Sequence, residues 1–317
     1  ACGPHREEGT GPCSPCPPME EILSNVASAL DVSNSGTCSD RERDHAREFL
    51  EEFMNGGVEM VDPCLALLES KEARYRHFAL CSLIRIITAV WNRVDVETKE
   101  SFKGMALDLI REPRITAEEN FVMEKMADVV TTVAKRCWPQ EWDQFLPSLL
   151  DAANLGEFQL YMCLLVLVRF PEEVIMHLDT ASLPEQRKSD LSKGLNTSIE
   201  LIFPFVEEVC AAKLEEFQNS QSEEASRIVG LCVKIFEPFS QFVPPKKLIA
   251  TGVLEMMVAL MNVRAFTEAV LDCLQSLAGR AWSSRNSTSE EELQCFQQFL
   301  AALYEFDPPT LEDNPME

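Results

Sequence analysis

Four histidines, at positions 5, 45, 77 and 177, are the residues whose ordinary pKa would suit proton transfer or metal ligation near neutral pH. No two of them share a ligand spacing, and the H-E-x-x-H pattern is absent. Paired acids are plentiful, as at Glu51–Glu52, Glu118–Glu119, Glu172–Glu173 and Glu207–Glu208. Neighbours on a helix point apart, so these pairs read as solvated faces rather than acid/base dyads. Cys13 and Cys16 form one C-x-x-C. A structural zinc needs a second ligand pair at suitable spacing, and none follows. Cys81, Cys163, Cys210, Cys232 and Cys273 sit inside apolar helical patterns and read as small buried hydrophobes of a reducing compartment. The phosphate loop G-x-x-x-x-G-K-[ST], the dinucleotide fingerprint G-x-G-x-x-G and the serine elbow G-x-S-x-G are all missing. These residues predict no catalytic constellation, no cofactor and no metal, and so a binding protein rather than an enzyme.

Charge narrows the partner. The formal net charge of −24 repels a phosphate backbone, whose binding draws on Lys and Arg. The same charge suits a basic protein partner, although it also serves solubility. The longest apolar run, Leu160–Val168, is closed by Arg169 and is half of the ~20 residues that span a bilayer, so no membrane insertion is expected. Two N-x-S/T sequons, at Asn196 and Asn286, carry little weight without a secretory signal.

The elements that must position any binding surface are helices. Apolar residues recur at three- and four-residue steps: Tyr75, Phe78, Ala79, Leu83, Ile86, Ile87 and Val90 in one stretch, and Val122, Met126, Val129, Val130, Val133 and Cys137 in another. The stretch Phe158–Val168 is apolar almost all round, so it should be sandwiched between neighbours. Helices are predicted near 20–31, 41–54, 58–69, 72–92, 96–111, 117–136, 140–153, 157–178, 184–218, 222–242, 246–261, 264–282 and 289–305. Capping-box spacing supports the starts at Ser39/Glu42, Thr116/Glu119, Ser182/Glu185 and Ser289/Glu292. Pro139 and Pro184 fall where a first helical turn needs no donor. Helix pairs return every ~40–50 residues, the period of HEAT-type repeats. The predicted fold is an all-α solenoid of about six antiparallel pairs, whose second helices line a concave wall. Residues 1–18 and 307–317 lack apolar periodicity. The first stretch reads as a disordered or non-native arm with Met19 as the true start, the second as a disordered tail or a truncation point.

One segment stands out: Lys135-Arg-Cys-Trp-Pro-Gln-Glu-Trp-Asp-Gln-Phe-Leu-Pro147. Trp138 ends one predicted helix, Pro139 begins the next, and Trp142, Phe145 and Leu149 share a face. Tryptophans bury ~150–250 Å² each, so Trp138, Pro139 and Trp142 read as a lock between two repeats. The basic pair Lys135 and Arg136 suits the negative end of a helix dipole.

At these residues the chain resembles the importin-β/exportin karyopherins. Arg76–Leu83 with Trp91-Asn92 resembles the family's second repeat, and Lys135–Trp142 the start of its exportin-1-like domain. Gly156–Gln159, Leu164–Glu173, Leu183-Pro-Glu-Gln-Arg-Lys-Ser-Asp-Leu191 and Ile202–Phe205 are most similar to the subfamily that exports pre-microRNA hairpins. The resemblance covers about 49–205 well and implies domains at 19–112 (importin-β N-terminal-like HEAT repeats), 113–270 (exportin-like HEAT repeats) and 271–306 (a further repeat). It implies a monomeric N-terminal segment of a receptor that shuttles between nucleus and cytoplasm. Such a receptor binds the GTPase Ran in its GTP state, contacts nucleoporins and does no chemistry itself. Full receptors are several times longer, and their RNA-gripping repeats have no counterpart in this chain. Ran contacts are expected on the polar sides of the helices at 41–54, 72–92 and 117–136: Arg47, Glu51, Arg76, Arg85, Glu124 and Asp128. The helix at 72–92 departs from the family on its solvent side. An import receptor of the same superfamily and a non-transport HEAT scaffold remain open alternatives.

Overall fold

The computed structural model describes residues 18–112, 119–178, 184–242 and 251–279, with the isolated positions 297, 301 and 304. Every regular element among the described residues is helical. The chain divides into two compact units, Ala1–Val94 and Asp95–Glu317.

The first unit holds two helix pairs. Helices α1 (Met19–Asn34) and α2 (Asp40–Met54) form one pair; α3 (Val61–Leu67) and α4 (Ala73–Val90) form the other. First helix packs on first helix, α1 on α3, and second on second, α2 on α4. The expected helix at 58–69 begins as a single 3-10 turn, Val58–Met60, before α3. The capping box before α2 is present: the Glu42 amide donates to Ser39 Oγ at 3.4 Å, and the Ser39 amide to Glu42 Oε2 at 2.8 Å. The α4 stripe lies inward, with Ala79, Leu83, Ile86 and Ile87 wholly buried.

The second unit repeats the arrangement. Its pairs are α5 (Val96–Arg111) with α6 (Asn120–Cys137), α7 (Phe145–Ala153) with α8 (Glu157–Leu178), α9 (Glu185–Ser220) with α10 (Glu223–Phe242), and α11 (Val253–Met261) with α12 (Thr267–Gly279). The second helices stack in the order α6, α8, α10, α12. This layering of first helices on first and second on second is the HEAT-type pattern. Helix α8 is sandwiched between α6 and α10 with α7 at its side, as its all-round apolar stretch predicts. Its Met162, Cys163, Leu164, Val166 and Leu167 are inaccessible to solvent. Pro171, Pro204 and Pro238 lie inside α8, α9 and α10 without ending them.

Three starts differ from expectation. Pro139 opens no helix: it follows a cis Trp138–Pro139 peptide, and α7 begins only at Phe145. Trp138, held extended at ψ 145°, is the residue that ends α6, because the ring after it disfavours a helical conformation. Pro184 is the residue before α9, at ψ 141°, rather than its first turn. Helix α11 starts at Val253 behind Gly252, whose φ of +69° only glycine adopts without strain. Thr116, Ser182 and Ser289 lie outside the described residues, as do residues 1–17 and 307–317, Cys13, Cys16, His5 and Asn286; of the helix expected at 289–305, the positions 297, 301 and 304 are described, and they are helical. Asn196 sits on α9, half-buried, with its amide on the Ser192 carbonyl at 3.0 Å. Cys163, Cys210, Cys232 and Cys273 are buried free thiols, whereas Cys81 is half-buried beside His77.

Candidate interaction surface

In the second unit the inward stripe of α6 leaves Glu124, Asp128 and Lys135 on its polar side. On α8 the charges return where the apolar run stops, at Arg169, Glu172 and Glu173. The two sets meet. Arg169 Nη2 lies 3.3 Å from Glu124 Oε2, and its Nε lies 4.0 Å from Asp128 Oδ1. Lys125 adds a 2.7 Å pair to Asp128, and Lys135 reaches Glu173 at 2.6 Å. Burial pushes the Glu172 carboxyl above the usual range; Arg169 opposes this, and the charges of Glu237 and Glu173 reinforce it. Glu237 on α10 in turn accepts from Ser276 on α12 at 3.1 Å. At the other end of these helices, Arg227 of α10 reaches Asn120 of α6 at 2.5 Å and the Tyr161 hydroxyl at 3.0 Å. Its guanidinium also stands 5.0 Å from the centre of the Tyr161 ring.

Partly exposed pairs of this kind contribute ~0–1 kcal/mol each. They are therefore weak ties between layers, and exchanging one partner for an incoming charge costs little. A polar belt of weakly held carboxylates across α6, α8 and α10 can meet a basic protein surface. It offers no nucleophile–base pair, and no group of three His, Cys, Asp or Glu that could hold a metal occurs among the described residues.

The six residues singled out from sequence fall in different settings. Glu124 and Asp128 share Arg169 in the second unit. Glu51 and Arg85 pair at 2.9 Å across α2 and α4, both about half exposed. Arg47 pairs with Asp44 one turn back on α2 and faces solvent. Arg76 is a correction: it is 5% exposed, with Nη1 on the Ser70 carbonyl at 2.7 Å. Its guanidinium ties the α3–α4 turn instead of standing on the polar side of α4. Arg169, Glu173 and Arg227 were missed, because their partners lie 38 to 107 residues away. The available signal was Arg169 itself, a charge placed at the end of the longest apolar run.

The aromatic segment forms one cluster. Trp138 meets Phe170 edge-on at 5.1 Å, Phe145 meets Phe170 at 5.2 Å, and Trp142 meets Phe145 at 4.8 Å. Trp138 and Trp142 are buried, and Pro139 is half-buried. Arg187 of α9 closes the turn after α6. Its Nη2 donates to the carbonyls of Lys135 at 3.1 Å and Trp138 at 2.6 Å, and its Nη1 to the Gln140 side chain. Lys103, itself buried, donates to the Glu141 carbonyl from the other side. Gly194 lies against Trp138 so closely that a Cβ there would come within 2.5 Å of the indole.

Comparison with known proteins falls on the same layers. The family model described as exportin 1-like protein matches residues 119–274, from the residue before α6 to the body of α12. Exportin-5 of Homo sapiens is 26% identical over 269 residues, 81% of this chain and 22% of the relative. Exportin-5 of Dictyostelium discoideum is 22% identical over 237 residues, 71% of this chain and 21% of its own length. Protein EXPORTIN 1B of Arabidopsis thaliana is 23% identical over 246 residues, 76% of this chain and 22% of the relative. The chain spans about a fifth of the length of these curated relatives.

Proposed function

We propose that this chain, whose residues 119–274 match the exportin 1-like family model, is an N-terminal segment of a nuclear export receptor that binds Ran in its GTP state. The observation that carries this reading is the coincidence of the matched region with the stacked second helices α6, α8, α10 and α12. Those helices hold the weakly paired carboxylates Glu124, Asp128 and Glu173 where a protein partner can compete for them. Glu51, Arg85 and Arg47 are further candidates, on the first unit. The segment does no chemistry; it contributes a docking face, and the nucleotide stays on the GTPase. Hairpin RNA cargo belongs to repeats outside this chain, since a net charge of −24 opposes phosphate binding. In the whole receptor, shuttling between nucleus and cytoplasm follows from binding Ran only in one nucleotide state.

The test is a titration of the chain against Ran loaded with GTP and with GDP. Binding to the GTP form at least ten times tighter is expected. Glu124→Lys with Asp128→Lys should weaken it a further tenfold or more. Equal affinity for both nucleotide states would overturn the receptor reading; unchanged affinity in the double variant would remove that pair from the interface.

A further inference from the structure

A second surface lies on the first unit, independent of the Ran reading. A groove of about 460 Å³ runs between α1 and α2. It is lined by Asn25, Ser28, Ala29 and Val32 of α1, by Cys38 of the loop, and by Glu42, His45, Ala46 and Phe49 of α2. No residue of α3 or α4 contributes. Small side chains make the floor: Ala29 and Ala46 are buried, and Ser28 and Asn25 stand exposed at the edge. Terminal layers of a repeat stack ordinarily turn a polar face outward. This outermost described layer instead presents Val32, Ala29, Ala46 and Phe49 in a recess.

Charge narrows what can fill it. The stretch 19–55 carries nine carboxylates against three arginines. Two of those arginines are engaged locally, Arg43 with Asp40 and Arg47 with Asp44. Glu42 on the groove wall is held below the usual carboxylate range by its hydrogen bonds with Ser39, so it stays ionised. Glu48 is exposed one turn from His45, and Glu21 and Glu52 continue the same helix faces beyond Asn25 and Phe49. Residues 1–17 contain no Val, Leu, Ile, Met, Phe, Tyr or Trp, so that stretch carries no apolar anchor for the groove. The lined stretch of α1, from Asn25 to Val32, is about 10 Å long, enough for two turns of a guest helix.

We propose that this groove docks a short amphipathic helix of another protein, with apolar anchors at i, i+3 or i+4, and i+7, flanked by Lys or Arg. The apolar anchors enter over Ala29 and Ala46, and the basic flanks meet Glu21, Glu42, Glu48 and Glu52. Helix-in-groove recognition uses that spacing.

The probe is a fluorescein-labelled 14-residue peptide of Leu and Lys with its leucines on one helical face, titrated into the full chain by anisotropy. Two controls accompany it: the same composition scrambled to remove the stripe, and the striped peptide with Glu in place of Lys. The striped basic peptide should bind at least ten times tighter than either control. Ser28→Trp, which fills the groove from its exposed edge, should weaken that binding at least tenfold, and Asn25→Trp serves if the first variant melts early. Equal binding of the scrambled peptide, or unchanged binding by both filled variants, would overturn the proposal, as would no binding at all. So would sedimentation showing a dimer that Ser28→Trp dissociates, because the occupant would then be a second copy of the chain.

Discussion

Gly194→Ala should destabilise the second unit, although the same exchange elsewhere in the protein should stabilise it. Alanine is better than glycine in a helix interior by ~1 kcal/mol. Gly104 of α5 and Gly230 of α10 have open space around a built Cβ, with nothing within 4 Å. There the gain is expected nearly in full. At Gly194 the new methyl would lie 2.5 Å from Trp138 Cη2, 2.9 Å from Cζ3 and 3.1 Å from Cζ2. The indole is rigid and 3% exposed, and Phe170 stands against it at 5.1 Å, so it has little room to retreat. Overpacking of this kind costs about 1–3 kcal/mol. A contact this short against a rigid ring falls in the upper part of that range, about 2–3 kcal/mol, so after the propensity gain the net loss is about 1–2 kcal/mol. Urea titration followed by far-UV ellipticity measures it: midpoints should rise for Gly104→Ala and Gly230→Ala and fall for Gly194→Ala. In a Trp138→Leu background the obstacle is gone, and Gly194→Ala should there become stabilising. A Gly194→Ala midpoint as high as those of the other two would refute the reasoning, because it would mean that α9 does not rest on the indole.

Arg187→Met should lower stability by about 2 kcal/mol, since two helix-end carbonyls lose a charged donor in a half-buried setting. Because those acceptors are neutral, the loss should persist in 1 M salt, unlike that of a surface ion pair, and urea titrations at two salt concentrations check this. Ser39→Ala should cost about 1 kcal/mol by removing the cap of α2. The Glu42 carboxyl, depressed in the folded chain by Ser39, contributes stability above the ordinary glutamate pKa that is lost as pH falls through its folded value. Its titration, followed by NMR, should move back up in the Ser39→Ala chain. Burial pushes the thiols of Cys64, Cys137 and Cys273 up to about 12, so among the described cysteines iodoacetamide at pH 8 should label the half-buried Cys38 and Cys81 first; mass spectrometry of the digested chain reads the order.

Helices were legible because burial on one side forces apolar residues into a period that survives interruption. The stripe of α6 is buried in full and that of α4 from Ala79 onward, with Tyr75 and Phe78 half-buried, and Pro171, Pro204 and Pro238 did not break the helices that contain them. The turn at Pro139 was misread because the local rule that places proline in a first helical turn competes with the bar it sets on Trp138. Arg187 and Lys103 hold that turn open from other layers, and no window of sequence around residue 139 contains them. The interaction surface was half legible. Charges could be placed on the polar sides of helices, but pairing is a property of two layers. Arg76 illustrates this: it reads as a solvent charge from its neighbours, yet the Ser70 carbonyl draws it under the turn.

Helix α8 has neighbours on every side: α6, α10, α7, α5 and α9. The last described pair, by contrast, is joined among the described residues chiefly through α10 and α9. Melting of the second unit should therefore not proceed one layer at a time. The pair α11–α12 can loosen while the layers α6 to α10 persist, but once α8 lets go the layers on both sides lose their common support together. Amide exchange would register this as a slow, synchronous block spanning α6 to α10, bordered by a faster fringe at α11 and α12.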